Sequence, residues 1–214
     1  APAITGTAIV CEGATITDLS STSGSIVWTS TNVAVATVDP TTGVVNTVAA
    51  GTSDITYTVT DVNDCSATSS LFTITVDQAP TIANAGSDQS QCNDANFTLA
   101  ANAATVGTGI WSITGAANGA VITSPNSASS SITGLTAGNS VILTWTISSG
   151  SCVASTSNVQ LTNNIIPNTP SIGSITQPTC DNTSGSFIIT NYDAANTYVA
   201  NPSSGVTFNG SDVT

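Results

Sequence analysis

The sequence predicts an all-β chain of tandem β-sandwich domains, arranged as beads on a string. Three observations carry that expectation. Apolar residues alternate with Thr and Ser in short runs, the pattern of a strand with one buried face. Turn-forming residues punctuate those runs, and no stretch holds a helical period. Cys and Trp recur in one order at domain-sized intervals.

Cys11, Cys92 and Cys180 each open a unit, at separations of 92 − 11 = 81 and 180 − 92 = 88 residues. The first unit spans 1–78. After Cys11 comes Trp28, then a turn at Asp39-Pro40 with Gly43. Ile55, Tyr57 and Val59 then point one way while Thr56, Thr58 and Thr60 point the other. A turn at Asn63-Asp64 precedes Cys65, and Phe72, Ile74 and Val76 form the last alternating run. Pro80 marks the boundary.

The second unit spans 79–166 and repeats the order. Cys92 is followed by Trp111, by a turn at Asn118-Gly119, and by the alternating run Val141, Leu143, Trp145 and Ile147. Ser149-Gly150 turns the chain just before Cys152. Pro167–Pro170 is the next boundary, and 167–214 reads as an incomplete third unit that carries only its opening cysteine. The first residue is not Met and no leader precedes the strands, so the expectation is an internal or processed piece of a longer protein.

Charge excludes more than it assigns. The chain has no Lys, Arg or His against 12 Asp and Glu, a formal charge of −12. No side-chain salt bridge can form. A clamp on a phosphate backbone has no cations, so nucleic acid is excluded as a partner. Histidine proton transfer and lysine Schiff bases are also excluded. A serine nucleophile would lack its usual base, and no Asp-Thr-Gly or Asp-Ser-Gly string occurs, so the reading is not an enzyme. Charged residues are 6% of the chain, against about a quarter in ordinary domains. Hydroxyls and amides must therefore solvate the surface. With 40% hydrophobic residues the chain can still build cores, and its apolar runs are too short to insert in a membrane.

The string GSIVWTSTNVAVATVDPTTGVVNTVAAGTSDITYTV at 24–59 resembles the bacterial Ig-like group 2 domain. The family's W-T-S-x-N, V-A-T-V-D, T-G-x-V and A-x-G-x-x-x-I-T elements stand there in order. The string TYTVTDVNDCSATSS at 56–70 is similar to the repeat ends of SprB-like gliding adhesins of Bacteroidota, with Asp64 where those repeats carry Gly. In the second unit, ANAGSDQSQC at 83–92 and GTGIWSI at 107–113 resemble PKD-like and Ig-like repeats of large secreted surface proteins, as does GSFIITN at 185–191. The resemblance implies an extracellular, cell-surface protein, secreted by the type IX route, with cell adhesion or gliding motility as its setting.

In such a secreted β chain, Cys11–Cys65 and Cys92–Cys152 are the expected disulfides, one per domain, with Cys180 pairing outside the sequence. A free or intermolecular thiol at Cys180 is the alternative, and a zinc site is the rival for the set, although no CxxC pair exists. Trp28, Trp111 and Trp145 are expected in the cores, with sugar stacking as the other use of such rings. No cofactor or metal is expected. Asp77, Asp88 and Asp94, read as surrounding the first inter-domain joint, are the one candidate set for calcium, against ordinary turn chemistry.

These expectations add up to a stalk segment of a multi-domain adhesin or surface filament, bearing tension and projecting an adhesive tip. Its partners are neighbouring repeats of the same chain, with surface polysaccharide or another cell-surface protein as candidates. The alternatives are a homopolymeric fibre joined by strand complementation and a carbohydrate-binding module acting through Tyr192 and Tyr198.

Overall fold

A computed structural model describes residues 3–21, 25–201 and 203–214. Gly24, where the group 2 string begins, lies outside them. Every regular element among the described residues is a β-strand. The chain divides into two compact units, 1–164 and 165–214.

The first unit holds two sandwiches with separate cores. Sandwich one comprises β1 (Ile9–Cys11), β2 (Thr15–Ile16), β3 (Ser25–Ser30), β4 (Ala36–Val38), β5 (Val45–Thr47), β6 (Gly51–Thr60), β7 (Ser66–Thr68) and β8 (Phe72–Asp77). One sheet runs β1-β8-β6-β3, with β7 also on β6; the other runs β2-β5-β4. Sandwich two comprises β9 (Gln89–Cys92), β10 (Phe97–Thr98), β11 (Thr108–Thr114), β12 (Val121–Ile122), β13 (Ser131–Thr133), β14 (Asn139–Ser148) and β15 (Ser155–Asn164). Its sheets run β11-β14-β15-β9 and β10-β13-β12. The plan is the same, with β15 in the place of β7 plus β8. In sandwich one that strand is interrupted at Ser69, which is buried and whose Oγ accepts a hydrogen bond from the Tyr57 N–H at 3.1 Å.

In both sandwiches the first strand lies parallel to the last, β1 on β8 and β9 on β15, while the other ladders are antiparallel. This arrangement assigns the cysteines to particular ends of the sheet.

The alternation read from the sequence becomes the cores. Ile55, Tyr57 and Ile74 face inward in sandwich one, and Val141, Leu143, Trp145 and Ile147 in sandwich two. Trp28 lies directly opposite Tyr57 across the β3–β6 ladder, and Trp111 opposite Trp145 across β11–β14. Both pairs tilt with ring centroids 5.1 Å apart, a geometry that adds about 1 kcal/mol beyond area burial. All three Trp side chains are buried. Gly109 makes room for one of them. A Cβ there would stand 2.1 Å from the Trp145 ring, so the ring covers bare backbone of β11.

With no cations, the polar groups satisfy one another. Among the described residues, no buried side-chain nitrogen or oxygen lacks a hydrogen-bond partner. On the outer faces, hydroxyls pair across strands: Thr29 with Thr56 at 2.8 Å, Thr58 with Thr68 at 3.0 Å, and Thr114 with Thr144 at 2.6 Å. Asp64, at the position where the gliding-adhesin repeats carry Gly, sits at φ 62°, the left-handed conformation that Gly adopts without strain and Asp tolerates.

The second unit is one sheet of β16 (Ile172–Thr176), β17 (Ser186–Ile189), β18 (Phe208–Asn209) and β19 (Asp212–Val213), in the order β16-β17-β19-β18. Ile189 and Val213 are its buried apolar side chains among the described residues. Ile172, Ile175 and Val199 remain exposed.

The expected disulfide pairing is corrected. Cys11 bonds to Cys152 across the two sandwiches, with Cα atoms 4.8 Å apart. Cys65, Cys92 and Cys180 are free and exposed. Strand direction gives the reason. Cys11 ends β1, in register with Asp77 at the end of β8. The antiparallel β6 begins at that same end, with Gly51 opposite Val76, and runs away from it. Ten residues of strand span about 33 Å, so Cys65, beyond the far end of β6, is out of reach of Cys11. Likewise Cys92 is in register with Asn164, whereas Cys152 follows the opposite end of the ten-residue β14. No intra-sandwich bond fits either pair.

Candidate functional site: the joint between the first two sandwiches

The Cys11–Cys152 bond sits within a small polar joint. β8 ends at Asp77, and Gln78-Ala79-Pro80 carries the chain into sandwich two. There the β14–β15 hairpin, Ser149 to Cys152, meets it. The Asp77 carboxylate (Oδ2) accepts the Ser151 N–H at 2.6 Å, and the Ser149 hydroxyl donates to the Gln78 carbonyl at 2.8 Å. From the other side, Glu12 N–H donates to the Asp77 carbonyl at 2.9 Å, and the Glu12 carboxylate accepts the Ala79 N–H at 3.1 Å.

Gly150 permits the close approach. Its φ is +47°, and a Cβ there would stand 2.2 Å from the Asp77 carboxylate. The Ser151 backbone N–H, then the Ser151 side chain, holds the Asp77 carboxyl below its usual range, against a smaller desolvation effect that raises it. The joint is thus one covalent bond surrounded by hydrogen bonds, two of them accepted by carboxylates and so charge-assisted. Glu12, Gln78, Ser149 and Ser151 were not singled out from sequence as joint residues. The signal available was adjacency: each neighbours a cysteine or the boundary proline in sequence, or lies one turn from it.

The calcium candidates do not gather. Asp77 is at this joint, but Asp88 accepts the Gln160 N–H at 2.8 Å, part-way along β15. Asp94 accepts the Asn96 N–H, and its own N–H donates to Asn163, near the far end of β15. Proximity in sequence misled because β9 and the segment before it run the length of the sandwich away from Asp77. Among the described residues, no group of three or more His, Cys, Asp or Glu is placed to hold a metal.

In the second unit the Tyr192 and Tyr198 rings stack on each other at 5.1 Å, and the Tyr198 hydroxyl accepts the Asp193 N–H at 2.8 Å. An apolar cavity of about 320 Å³ opens beside Tyr198, lined by Pro167, Phe187, Ile189 and Phe208 among others.

Two three- and four-to-five-stranded sheets per sandwich, a core Trp on the third strand and a Cys on the first now stand together. Residues 13–69 match the bacterial Ig-like domain (group 2) family. That segment holds most of sandwich one. The second Ig-like sandwich follows it on the same topology, so the unit is a tandem of Ig-like domains. No curated protein sequence matches the chain.

Similar solved structures include extracellular domains 3–5 of Drosophila OTK, at 13% identity and TM-score 0.46, covering 75% of this chain and 59% of that one. A C-terminal 282-residue fragment of intimin, in complex with the intimin-binding domain of its translocated receptor, is 14% identical with TM-score 0.43, covering 75% and 63%. Fibronectin(III)-like modules of Clostridium thermocellum CbhA are 15% identical with TM-score 0.34, covering 75% and 90%. The chain therefore spans about three-fifths of the OTK and intimin chains it resembles. Among the described residues no helix is long and apolar enough to cross a membrane.

Proposed function

We propose that this chain is a structural stalk segment of an extracellular multi-domain adhesin or surface filament, bearing tension and projecting an adhesive tip, with no catalytic role. The observation that carries the reading is the joint. A covalent bond between consecutive Ig-like domains holds their relative placement, which a spacer needs and an independent ligand-binding module does not. The gliding-adhesin resemblance of residues 56–70 favours a large secreted surface protein of that kind, with the type IX route as its export. The hydroxyl-rich surface, on which charged residues are sparse and all acidic, supports a passive spacer, because it offers no electrostatic attraction to nucleic acid or other anionic partners.

The test is domain replacement in the producing cell. Residues 1–164 are exchanged for two unrelated sandwiches of similar length, and surface display and adhesion are measured on intact cells. A stalk tolerates the exchange and adhesion persists. Loss of adhesion with display unchanged would mean that these sandwiches bind the ligand themselves.

The exposed apolar side chains of the second unit favour strand complementation as a second reading, since Ile172 and Ile175 are each 62% exposed and, among the described residues, the unit has one sheet with no second sheet as its partner. Concentration-dependent polymerisation of the purified chain, abolished by Ile172→Asp with Ile175→Asp, would support the fibre. A monodisperse monomer at high concentration would rule it out.

A further inference from the structure

Cys65 and Cys92 are free and exposed, yet each repeats one half of the bonded joint. Cys92 repeats the Cys11 half. Each ends the first strand of its sandwich, parallel to the last strand and in register with that strand's final residue: Cys11 with Asp77, Cys92 with Asn164. The next residue then donates its N–H to the carbonyl of that final residue, Glu12 to Asp77 at 2.9 Å and Asn93 to Asn164 at 2.8 Å. After each final residue the chain takes two residues to reach a proline, Gln78-Ala79-Pro80 and Ile165-Ile166-Pro167.

Cys65 repeats the Cys152 half. It lies in the turn after β6 as Cys152 lies in the turn after β14. Those two strands hold the same place in their sheets, between the Trp-bearing strand and the last strand. Both turns close on the cysteine: Asp61 N–H donates to the Cys65 carbonyl at 3.0 Å, and Cys152 N–H donates to the Ser149 carbonyl at 3.0 Å. Cys65 and Cys92 cannot serve each other within the unit, because they lie at the two ends of the tandem that face away from the joint. Cys180 falls between β16 and β17, outside any strand, and has no such register.

We propose that Cys92 and Cys65 are the two unmatched halves of the same inter-sandwich disulfide. Cys92 takes the hairpin cysteine of a following Ig-like sandwich, and Cys65 takes the first-strand cysteine of a preceding one. The occupant in each case is a sandwich of this same plan. Each bond forms as two thiols give up two protons and two electrons to a small disulfide oxidant, which leaves as two thiols. The links overlap, because Cys65 and Cys92 both fall inside the loop that Cys11–Cys152 closes. The proposal goes beyond the stalk reading and does not depend on adhesion.

Two measurements test it. In the first, the purified full chain, its Cys11–Cys152 bond intact, is incubated at high concentration in a glutathione redox buffer. Links between copies are mapped by mass spectrometry after chymotryptic digestion, trypsin having no Lys or Arg to cut. The expected major link joins Cys65 of one copy to Cys92 of another, favoured roughly tenfold over like–like links and over any link to Cys180, and lost in Cys92→Ser. Cys180 is the built-in control for exposure alone. Links spread evenly over the three thiols would overturn the proposal. In the second, the native protein is taken from its cells with thiols blocked at once. Cys65 and Cys92 should both be found bonded to cysteines of other Ig-like domains. Blocked free thiols at either position, or Cys11–Cys65 and Cys92–Cys152 bonds, would also overturn it.

Discussion

Breaking the Cys11–Cys152 bond should destabilise both sandwiches by nearly equal amounts, although each contributes only one cysteine. If sandwich one unfolds alone, the folded sandwich two still closes its chain from Cys11 to Asp77, a loop of 77 − 11 = 66 residues. If sandwich two unfolds alone, the closed stretch runs from Gln78 to Cys152, 152 − 78 = 74 residues. In the chain-entropy account either loop contributes about 4 kcal/mol, and the whole separation of 141 residues about 5 kcal/mol when both unfold together. The two single-loop values differ by only about 0.1 kcal/mol. The perturbation is the double variant Cys11→Ser with Cys152→Ser, which leaves no lone thiol at the joint. A Trp28→Phe background removes the sandwich-one indole, so tryptophan fluorescence follows Trp111 and Trp145 in sandwich two, while far-ultraviolet circular dichroism follows both. Guanidinium titration should show both transitions moving down by a similar free energy. A loss confined to one sandwich, or a loss below about 1 kcal/mol in both, would refute the closed-loop reasoning.

Acid should weaken the fold. The carboxyls of Asp18, Asp39, Asp61 and Asp77 are all held below their usual range by hydrogen bonds, led by the Thr7 hydroxyl and the backbone N–H groups of Thr42, Cys65 and Ser151 respectively. A lowered folded pKa stabilises the fold above the unfolded value, about 3.9, and that contribution is lost as pH falls through the folded value. At physiological salt the opposing relief of carboxylate repulsion is screened, so the melting temperature should hold level down to about pH 5 and fall below about pH 4, less steeply in Asp39→Asn. A melting temperature that rises on acidification would show repulsion dominating. Gly109→Ala should cost about 1–3 kcal/mol in guanidinium titration, because its Cβ would enter the Trp145 ring. Calorimetry with millimolar calcium should give the same melting temperature as with chelator; a rise abolished by Asp88→Ala would contradict the separation of Asp77, Asp88 and Asp94.

The sandwiches were legible because burial acts residue by residue along a strand. Ile55 and Tyr57, or Leu143 and Trp145, declare their face by alternation alone. The joint was not legible, because linear order carries no strand direction. Cys, Trp, Cys reads the same whether the two cysteines share one end of a sheet or lie at opposite ends. Only the parallel placement of β1 on β8 sends Cys11 toward the next domain and leaves Cys65 at the far end. The aspartates failed for the same reason: seventeen positions separate Asp77 from Asp94 in sequence (94 − 77 = 17), and those positions include a strand that leads away from the joint.

The same bond has a consequence for how far the chain can stretch. A pull that enters upstream of Cys11 and leaves downstream of Cys152 passes through two sulfur atoms. The polypeptide between them is removed from the path whether it is folded or not. Fully drawn out, 141 residues would add roughly 500 Å of contour length, and the disulfide withholds all of it. Loss of either sandwich under such a pull would therefore change the thickness and stiffness of the tandem while leaving its end-to-end reach almost unchanged.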